Sequence, residues 1–569
     1  MKLLKKHFNA PYSFHGKSFI QHFILLVLLV VAILFTTPAH AQDKATEVDK
    51  IFNWATQETP GCACAVSQNG KTVVSRAYGS ADLERNAPLT TNTIFDIGSL
   101  RKQFIAAAVL LLVDEKTLSL TEDIRTYLPE LPDYGQKITL NHLLTHTSGL
   151  RDWTGMLPLA NGKPEALTLI LRQRGLNFKP GEEWSYSNSG YVLLTEIVAR
   201  KTGMPFAEFM RKRLFEPLGL NSTSYVVDMT HVVKNRAMAY ERQKDGNYKL
   251  DMYWGNDRGG GAILSTAQDL VLWNDALKNN KLGAFVTQKL QEPAQLNNGR
   301  KLSYARGLFL ENYRGVKEVW HSGGAAGYHS WLGSFPEQNI SIAVVCNSDA
   351  KPATGLAERI ADLFVSYKTP QDLTAGPPPA LTGDTLLEAK GKAGLFVQEQ
   401  TGETMRLALD RDRLRIANGP GLVPVTKNRF KRHGAFVQYM SQDQFEINFL
   451  SPDQFELKTM EGKTVKYKRA EAYTPSPTDL QALSGRYTSE ELGAFFDINP
   501  SKDGLLGKAN DAAGPGFTLT PVKQDTFQLA GVTVRFVRDK AGKVVGLDYS
   551  NPVVRNIRFT KLGELTSRR

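Results

Sequence analysis

Residues 104–115 read FIAAAVLLLVDE, and the first ten positions of this helix-favouring run are apolar. A helix that is apolar all round must be buried on every side, so the chain has to wrap it in further layers. At this length it is too short for a membrane span, which needs ~20 apolar residues. Just before it stands Ser99-Leu100-Arg101-Lys102. A serine in the first turn of such a helix lies at the positive end of its dipole, among unpaired backbone N–H groups. Three residues is nearly one turn, so Lys102 shares a face with Ser99. Burial strips the lysine of solvation, lowers its pKa and makes a neutral amine available as a base. One turn thus offers a nucleophile, a base and an oxyanion site.

The same spacing recurs at Ser348-Asp349-Ala350-Lys351, in a polar stretch after the strand-like SIAVVCN. Pro352 biases Lys351 away from helical geometry, so this copy is expected to be inert. Lys201-Thr202-Gly203 ends a helical pattern, with Gly203 as a C-terminal cap followed by Pro205. His142 and His146 are spaced i, i+4, but no Glu follows His142, so no metal site is expected.

Strand signals lie at both ends of the first 367 residues. GCACAVSQNGKTVVSRAYG holds two strand-like runs around a Gln-Asn-Gly turn. Strands return between Val319 and Val345, around a turn at 336–339, and TGLAERIADLFVSY closes with a helix. Helical patterns fill roughly 99–235. This order predicts an α/β (α+β) sandwich whose antiparallel sheet is assembled from both ends, with a helical insertion. Cys62 and Cys64 alternate with alanines and are expected on one strand face. Cys346 is the third cysteine; three make no framework, and Cys62 and Cys64 are expected as buried thiols.

The first 41 residues read as a signal peptide. Lys2, Lys5, Lys6 and Lys17 precede an apolar run from Phe23 to Phe35, and Ala39-His40-Ala41 supplies the cleavage pattern. A periplasmic or secreted protein with no stable membrane span after cleavage is expected. The formal net charge is +12, spread along the chain without a long basic run, which argues against nucleic-acid binding.

Composition shifts at KTPQDLTAGPPPALTG, so 368–390 reads as a linker after a domain at 42–367. Beyond it, turn residues every 8–12 positions argue for all-β structure. GLFVQEQTGETMRLAL from Gly394 resembles GRYTSEELGAFFDI from Gly485, and PVTKNRF matches PVKQDTF, with Phe six residues after Pro in both. Two small β-barrel-like domains are expected, at 391–472 and 479–569. The second copy carries six extra residues around GKANDAAGPG, a loop-like stretch containing Asp511.

Two distant segments complete the candidate site. Tyr186-Ser187-Asn188 precedes an amphipathic helix expected from about Gly190, and in an extended loop Tyr186 and Asn188 point the same way. His321-Ser322-Gly323 ends one strand, and Gly323-Gly324 allow close backbone approach. Ser99-x-x-Lys102, Tyr186-x-Asn188 and His321-Ser322-Gly323 occur in the order and spacing of class C β-lactamase-like serine hydrolases, a family that includes penicillin-binding peptidases, esterases and D-aminopeptidases. LLTHTSGL (143–150) and GGGAILSTAQDL (259–270) also resemble its recurring segments. The resemblance covers about 45–367, and its five ordered segments make it specific.

The resemblance implies a β-lactamase/transpeptidase-like sandwich with the site between its helical and sheet parts. It implies acyl transfer without a cofactor. Ser99 is the nucleophile, Lys102 or the Tyr186 phenolate the base, and the N–H groups of Ser99 and Gly324 the oxyanion site. Asn188, His321, Gly323 and Gly324 are the expected substrate-binding residues. Family members acting on β-lactams or free carboxylates often carry a lysine where His321 stands. A mostly neutral imidazole therefore leans towards esters, or peptides with a free amino end. In three-domain D-aminopeptidases a loop of the last barrel reaches the site, which makes Asp511 a candidate carboxylate for a substrate ammonium. The expected partner is a small-molecule or peptide substrate, with cell-wall peptide as one candidate. A weak β-lactamase or D,D-peptidase is the alternative, and a degenerate cell-wall or partner-binding protein the alternative of another class.

Overall fold

The computed structural model describes residues 44–162, 164–253, 260–367, 383–400, 402–410, 413–416, 421–433, 446–458, 462–471, 473–510, 516–529 and 532–562. The expected signal peptide and most of the expected linker lie outside them. Residues 44–51 are helical.

A six-stranded antiparallel sheet runs in the order Phe309–Tyr313, Val316–Ala325, Tyr328–Phe335, Ile340–Cys346, Cys62–Gln68, Lys71–Tyr78. Asn69 and Gly70 both have positive φ at the tip of the first hairpin, the backbone that a tight two-residue turn needs. The strands Cys62–Gln68 and Ile340–Cys346 are buried almost throughout, so both faces of the sheet are covered at its centre. The helices Ala267–Lys278 and Ala353–Phe364 pack against these strands.

The register sets Cys62 directly opposite Cys346, and the two form a disulfide across a Cα–Cα distance of 4.0 Å. This corrects the expectation of a free buried thiol at Cys62. Sheet pairing brings together cysteines that lie 284 residues apart in sequence. Cys64 is buried and stays outside the bridge.

The helix Arg101–Asp114 forms the centre of the helical part, with Phe104–Leu110 buried without a break. Phe104 stacks on Trp273 at 4.1 Å between ring centroids. Helix Asn188–Thr202 packs beside it and ends at Gly203 in the left-handed conformation.

Two eight-stranded antiparallel barrels follow, Gly394–Arg469 and Gly485–Lys561, each closed by pairing of its first and last strands. The repeated sequences occupy equivalent places: Pro424 pairs with Phe430 in one and Pro521 with Phe527 in the other. In the first barrel, Arg415 pairs with Gly421 between two neighbouring strands. A helix at Gly383–Lys392 occupies the end of the span expected as linker, where Leu386-Leu387-Glu388-Ala389-Lys390 are strong helix formers. The core of the second barrel is continuous with the core of the helical part, whereas the first barrel has a separate core.

Candidate active site

Ser99 sits in a single 3₁₀ turn, Gly98–Leu100, that leads straight into the helix Arg101–Asp114. Gly98 has φ +55°, and a Cβ there would lie 2.6 Å from the backbone nitrogen of Gly324. Gly323 has no more room: a Cβ would lie 2.1 Å from the carbonyl oxygen of Ile97 and 2.4 Å from Ser330 Oγ. Ser330 Oγ donates to that same carbonyl at 2.8 Å. The absence of side chains at 98 and 323 thus lets the Ser99 turn lie directly on the strand Val316–Ala325.

Lys102 is 0% exposed. Its Nζ lies 3.2 Å from Ser99 Oγ and donates to Asn188 Oδ1 at 2.8 Å. Nζ also stands over the Tyr186 ring, 4.5 Å from its centroid. Burial drives the lysine pKa well below its ordinary value, the neighbouring Arg101 charge lowers it further, and Asp152 opposes both. Burial raises the Tyr186 phenol well above its usual range. The Ser99 side chain is near enough to oppose that shift, yet among the described residues the buried Tyr186 hydroxyl completes no hydrogen bond. A neutral Lys102 is therefore easier to reach than a Tyr186 phenolate.

His321 is 0% exposed, and both of its ring nitrogens face protein groups. Nδ1 lies 2.6 Å from the carbonyl oxygen of Ser322, which can only accept, so Nδ1 carries the proton. Nε2 is then an acceptor, 3.4 Å from the Tyr304 hydroxyl. On the other side of Tyr304, His146 Nδ1 accepts from the backbone N–H of Ser187 at 3.1 Å, and His146 Nε2 lies 3.1 Å from the Tyr304 hydroxyl. The tautomers follow in one direction, from Ser187 N–H through His146, Tyr304 and His321 to the Ser322 carbonyl. Burial pushes His321 down to about 3 and His146 well below its usual value. His142 is used differently: its Nδ1 accepts from the Thr139 N–H in a capping box.

Tyr186 and Asn188 enter from one segment, and the helix starts at Asn188 rather than near Gly190. The reason is Asp152, whose Oδ2 accepts from the Asn188 backbone N–H at 3.0 Å at the positive end of the helix. Ser348 lies elsewhere, in the loop after the strand Ile340–Cys346, where its hydroxyl bonds to Asp349 and to the N–H of Ala350.

The beta-lactamase family profile matches residues 45–365. The chain belongs to the beta-lactamase family. Across 536 residues it is 27% identical to a D-aminopeptidase of Cereibacter sphaeroides (strain ATCC 17023), covering 88% of this chain and 96% of that protein. Penicillin-binding protein 4* of Bacillus subtilis (strain 168) is 27% identical over 401 residues, covering 64% of this chain and 86% of that one. In fold, the chain matches the octameric penicillin-binding protein homologue from Pyrococcus abyssi, with a TM-score of 0.53 at 23% identity, over 75% of this chain and 99% of the other. This beta-lactamase-family protein is a serine hydrolase with a β-lactamase/transpeptidase-like fold and two C-terminal barrels.

Of the expected site residues, Ser99, Lys102, Tyr186, Asn188, His321, Gly323 and Gly324 come together in this hydrolase. Asp511 lies outside the described residues. Three contributors carry no sequence signal of their own. Asp152 sits in the non-periodic stretch GLRDW, Tyr304 in a loop between elements, and Arg101 inside the motif itself. Arg101 is buried and donates to the carbonyl of Gly261. No helix among the described residues is long and apolar enough to cross a membrane.

Proposed function

We propose that the protein hydrolyses an amide or ester through a covalent Ser99 acyl-enzyme, acting on small peptides or amides with a free amino end and a D-residue beside the cleaved bond. The observation that carries this reading is the buried Lys102 amine, held between Ser99 Oγ and Asn188 Oδ1. Ser99 Oγ attacks the substrate carbonyl and its proton passes to the lone pair of neutral Lys102. The N–H groups of Ser99 and Gly324 hold the oxyanion. As the tetrahedral intermediate collapses, the bond to the leaving nitrogen or oxygen breaks and Tyr186 relays a proton to it. Water then cleaves the serine ester, restoring Ser99 and releasing an acid. Asn188 keeps Lys102 aimed at Ser99.

Two observations support an amino-terminal substrate. No cation stands at position 321 to bind a free carboxylate, because His321 is neutral and internally bonded. The D-aminopeptidase relatives also match the chain through its barrels, not in the hydrolase part alone. Export is part of the same reading, supported by the first 41 residues and by a disulfide of the kind that persists in oxidising compartments.

The test is a panel of D- and L-amino-acid p-nitroanilides, p-nitrophenyl esters and nitrocefin, with Ser99→Ala as control. Turnover of D-amino-acid anilides that disappears in Ser99→Ala is expected. Unchanged hydrolysis by Ser99→Ala would overturn the mechanism, and turnover of nitrocefin alone would replace the substrate class with β-lactams.

A further inference from the structure

Residues 151–155 lie between the Lys102 site and the second barrel and are bonded to both. On the site side, four donors converge on the Asp152 carboxylate. Oδ2 accepts from the Asn188 backbone N–H and from Asn188 Nδ2, each at 3.0 Å. Oδ1 accepts from the Thr154 N–H at 2.9 Å and from its hydroxyl at 3.0 Å. A carboxylate only accepts, so it takes the NH₂ end of the Asn188 amide and leaves Oδ1 facing Lys102. With the amide turned round, two acceptors would meet at Asp152, and the Asn188 NH₂ would take up the Lys102 lone pair that Ser99 needs.

On the barrel side, the Asp152 backbone N–H donates to the carbonyl oxygen of Val553 at 3.2 Å. Asn551 Nδ2 donates to the Gly155 carbonyl at 2.9 Å. Arg151 is buried, pairs with Glu491 at 2.6 Å, and donates to the carbonyls of Arg555 and Asn556 at 3.0 and 2.9 Å. The packing leaves no slack: a Cβ on Gly155 would lie 2.6 Å from Val553 Cγ2 and 2.9 Å from Val554 Cγ2. Valine is stiff about χ1, so those methyl groups cannot swing aside cheaply.

We propose that the second barrel is a positioning element of the active site: its Asn551–Asn556 turn seats the 151–155 segment, and Asp152, the N-cap of the short helix Trp153–Met156, fixes the Asn188 amide with its oxygen towards Lys102. This rests on the acyl-enzyme reading above and deepens it. Asp152 acts through Asn188 and is a positioning residue. The barrel reaches the chemistry through two hydrogen-bonded steps, Val553 to Asp152 and Asp152 to Asn188.

The experiment measures the second-order rate of Ser99 labelling by a fluorophosphonate probe across pH, using the full chain. Asp152→Asn removes the acceptor that orients Asn188 and also the anion near Lys102. Gly155→Ala leaves Asp152 intact and wedges the barrel away. Each is expected to slow labelling about 10- to 100-fold, the scale on which small misplacements of catalytic groups act. In Asp152→Asn the ascending acid limb should also move to lower pH, because losing a nearby anion lowers the lysine pKa further. Val553→Ala with Val554→Ala, added to Gly155→Ala, should restore labelling to that of the valine-to-alanine background. That rescue separates positioning from a general loss of fold, as does the pH shift. Labelling at the wild-type rate in both Asp152→Asn and Gly155→Ala, with an unmoved limb, would overturn the proposal. A wild-type chain that takes no label on Ser99 would instead overturn the acyl-enzyme reading beneath it.

Discussion

His321 turns Nδ1 back on the carbonyl oxygen of Ser322, the next residue of its own strand, at 2.6 Å. The ring's one N–H is thereby committed to the protein, and the imidazole is locked neutral. Burial holds its pKa at about 3, against ~6.5 in an unfolded chain. Between those values the unfolded state binds a proton that the folded state refuses. His321 therefore contributes stability that is complete above pH ~6.5 and is lost as the pH falls towards ~3. Thermal midpoints measured at pH 7, 5 and 4 should fall, and the slope should be shallower in His321→Gln. Parallel slopes in the two proteins would show that this imidazole does not titrate as described.

Tyr304→Phe should leave His146 Nε2–H and His321 Nε2 facing a hydrocarbon edge. Each is buried, and an orphaned buried polar group costs about 1–3 kcal/mol. A loss of roughly 2–6 kcal/mol is expected from denaturant titration, one such penalty for each of the two groups. A midpoint equal to wild type would mean that the chain of tautomers through Tyr304 carries no energy.

Gly323→Ala and Gly324→Ala are neighbours with opposite expectations. At 323 the new methyl meets Ile97 O at 2.1 Å and must push the strand off the Ser99 turn. At 324 no atom of the described residues lies within 4 Å. Gly324→Ala should keep the wild-type melting temperature, whereas Gly323→Ala should melt lower and lose most Ser99 labelling. Comparable melting of the two variants would contradict this packing.

Replacing Cys62 and Cys346 together by alanine should lower stability by ~2–5 kcal/mol, the usual effect of a disulfide closing a long loop. Urea midpoints of the double variant and the oxidised wild type decide the matter. Identical midpoints would show that the bridge adds nothing to a register the sheet already sets.

Local pattern carried the nucleophile and most of the fold. The Ser99 helix is legible because apolar residues on all faces have one physical outcome, and the hairpin at 62–78 because Asn-Gly turns have few backbone solutions. The same strand signals left Cys62 and Cys346 at the ends of two segments expected in one sheet, but only the register reveals that they face each other. Asp152 and Tyr304 were invisible for a related reason. Each acts by accepting or passing hydrogen bonds between segments far apart in sequence, and neither lies in a periodic or motif-like context. His321 was found by its motif, yet its motif could not say that both ring nitrogens would be engaged inward.

The pairing of Cys62–Gln68 with Ile340–Cys346 also dictates an order of assembly. At ~5–20 residues per second of synthesis, the sequence separation of 284 between the two cysteines keeps the first strand waiting roughly 15–60 s for its partner. During that time the all-apolar helix after Ser99 has no finished sheet to shelter against, so the nascent chain is at its most aggregation-prone before residue 346 is made. The segment carrying Asp152 waits longer still, since Val553 is made about 400 residues after it. The nucleophile is synthesised long before the barrel turn that holds its lysine in line, with about 450 residues made between the two.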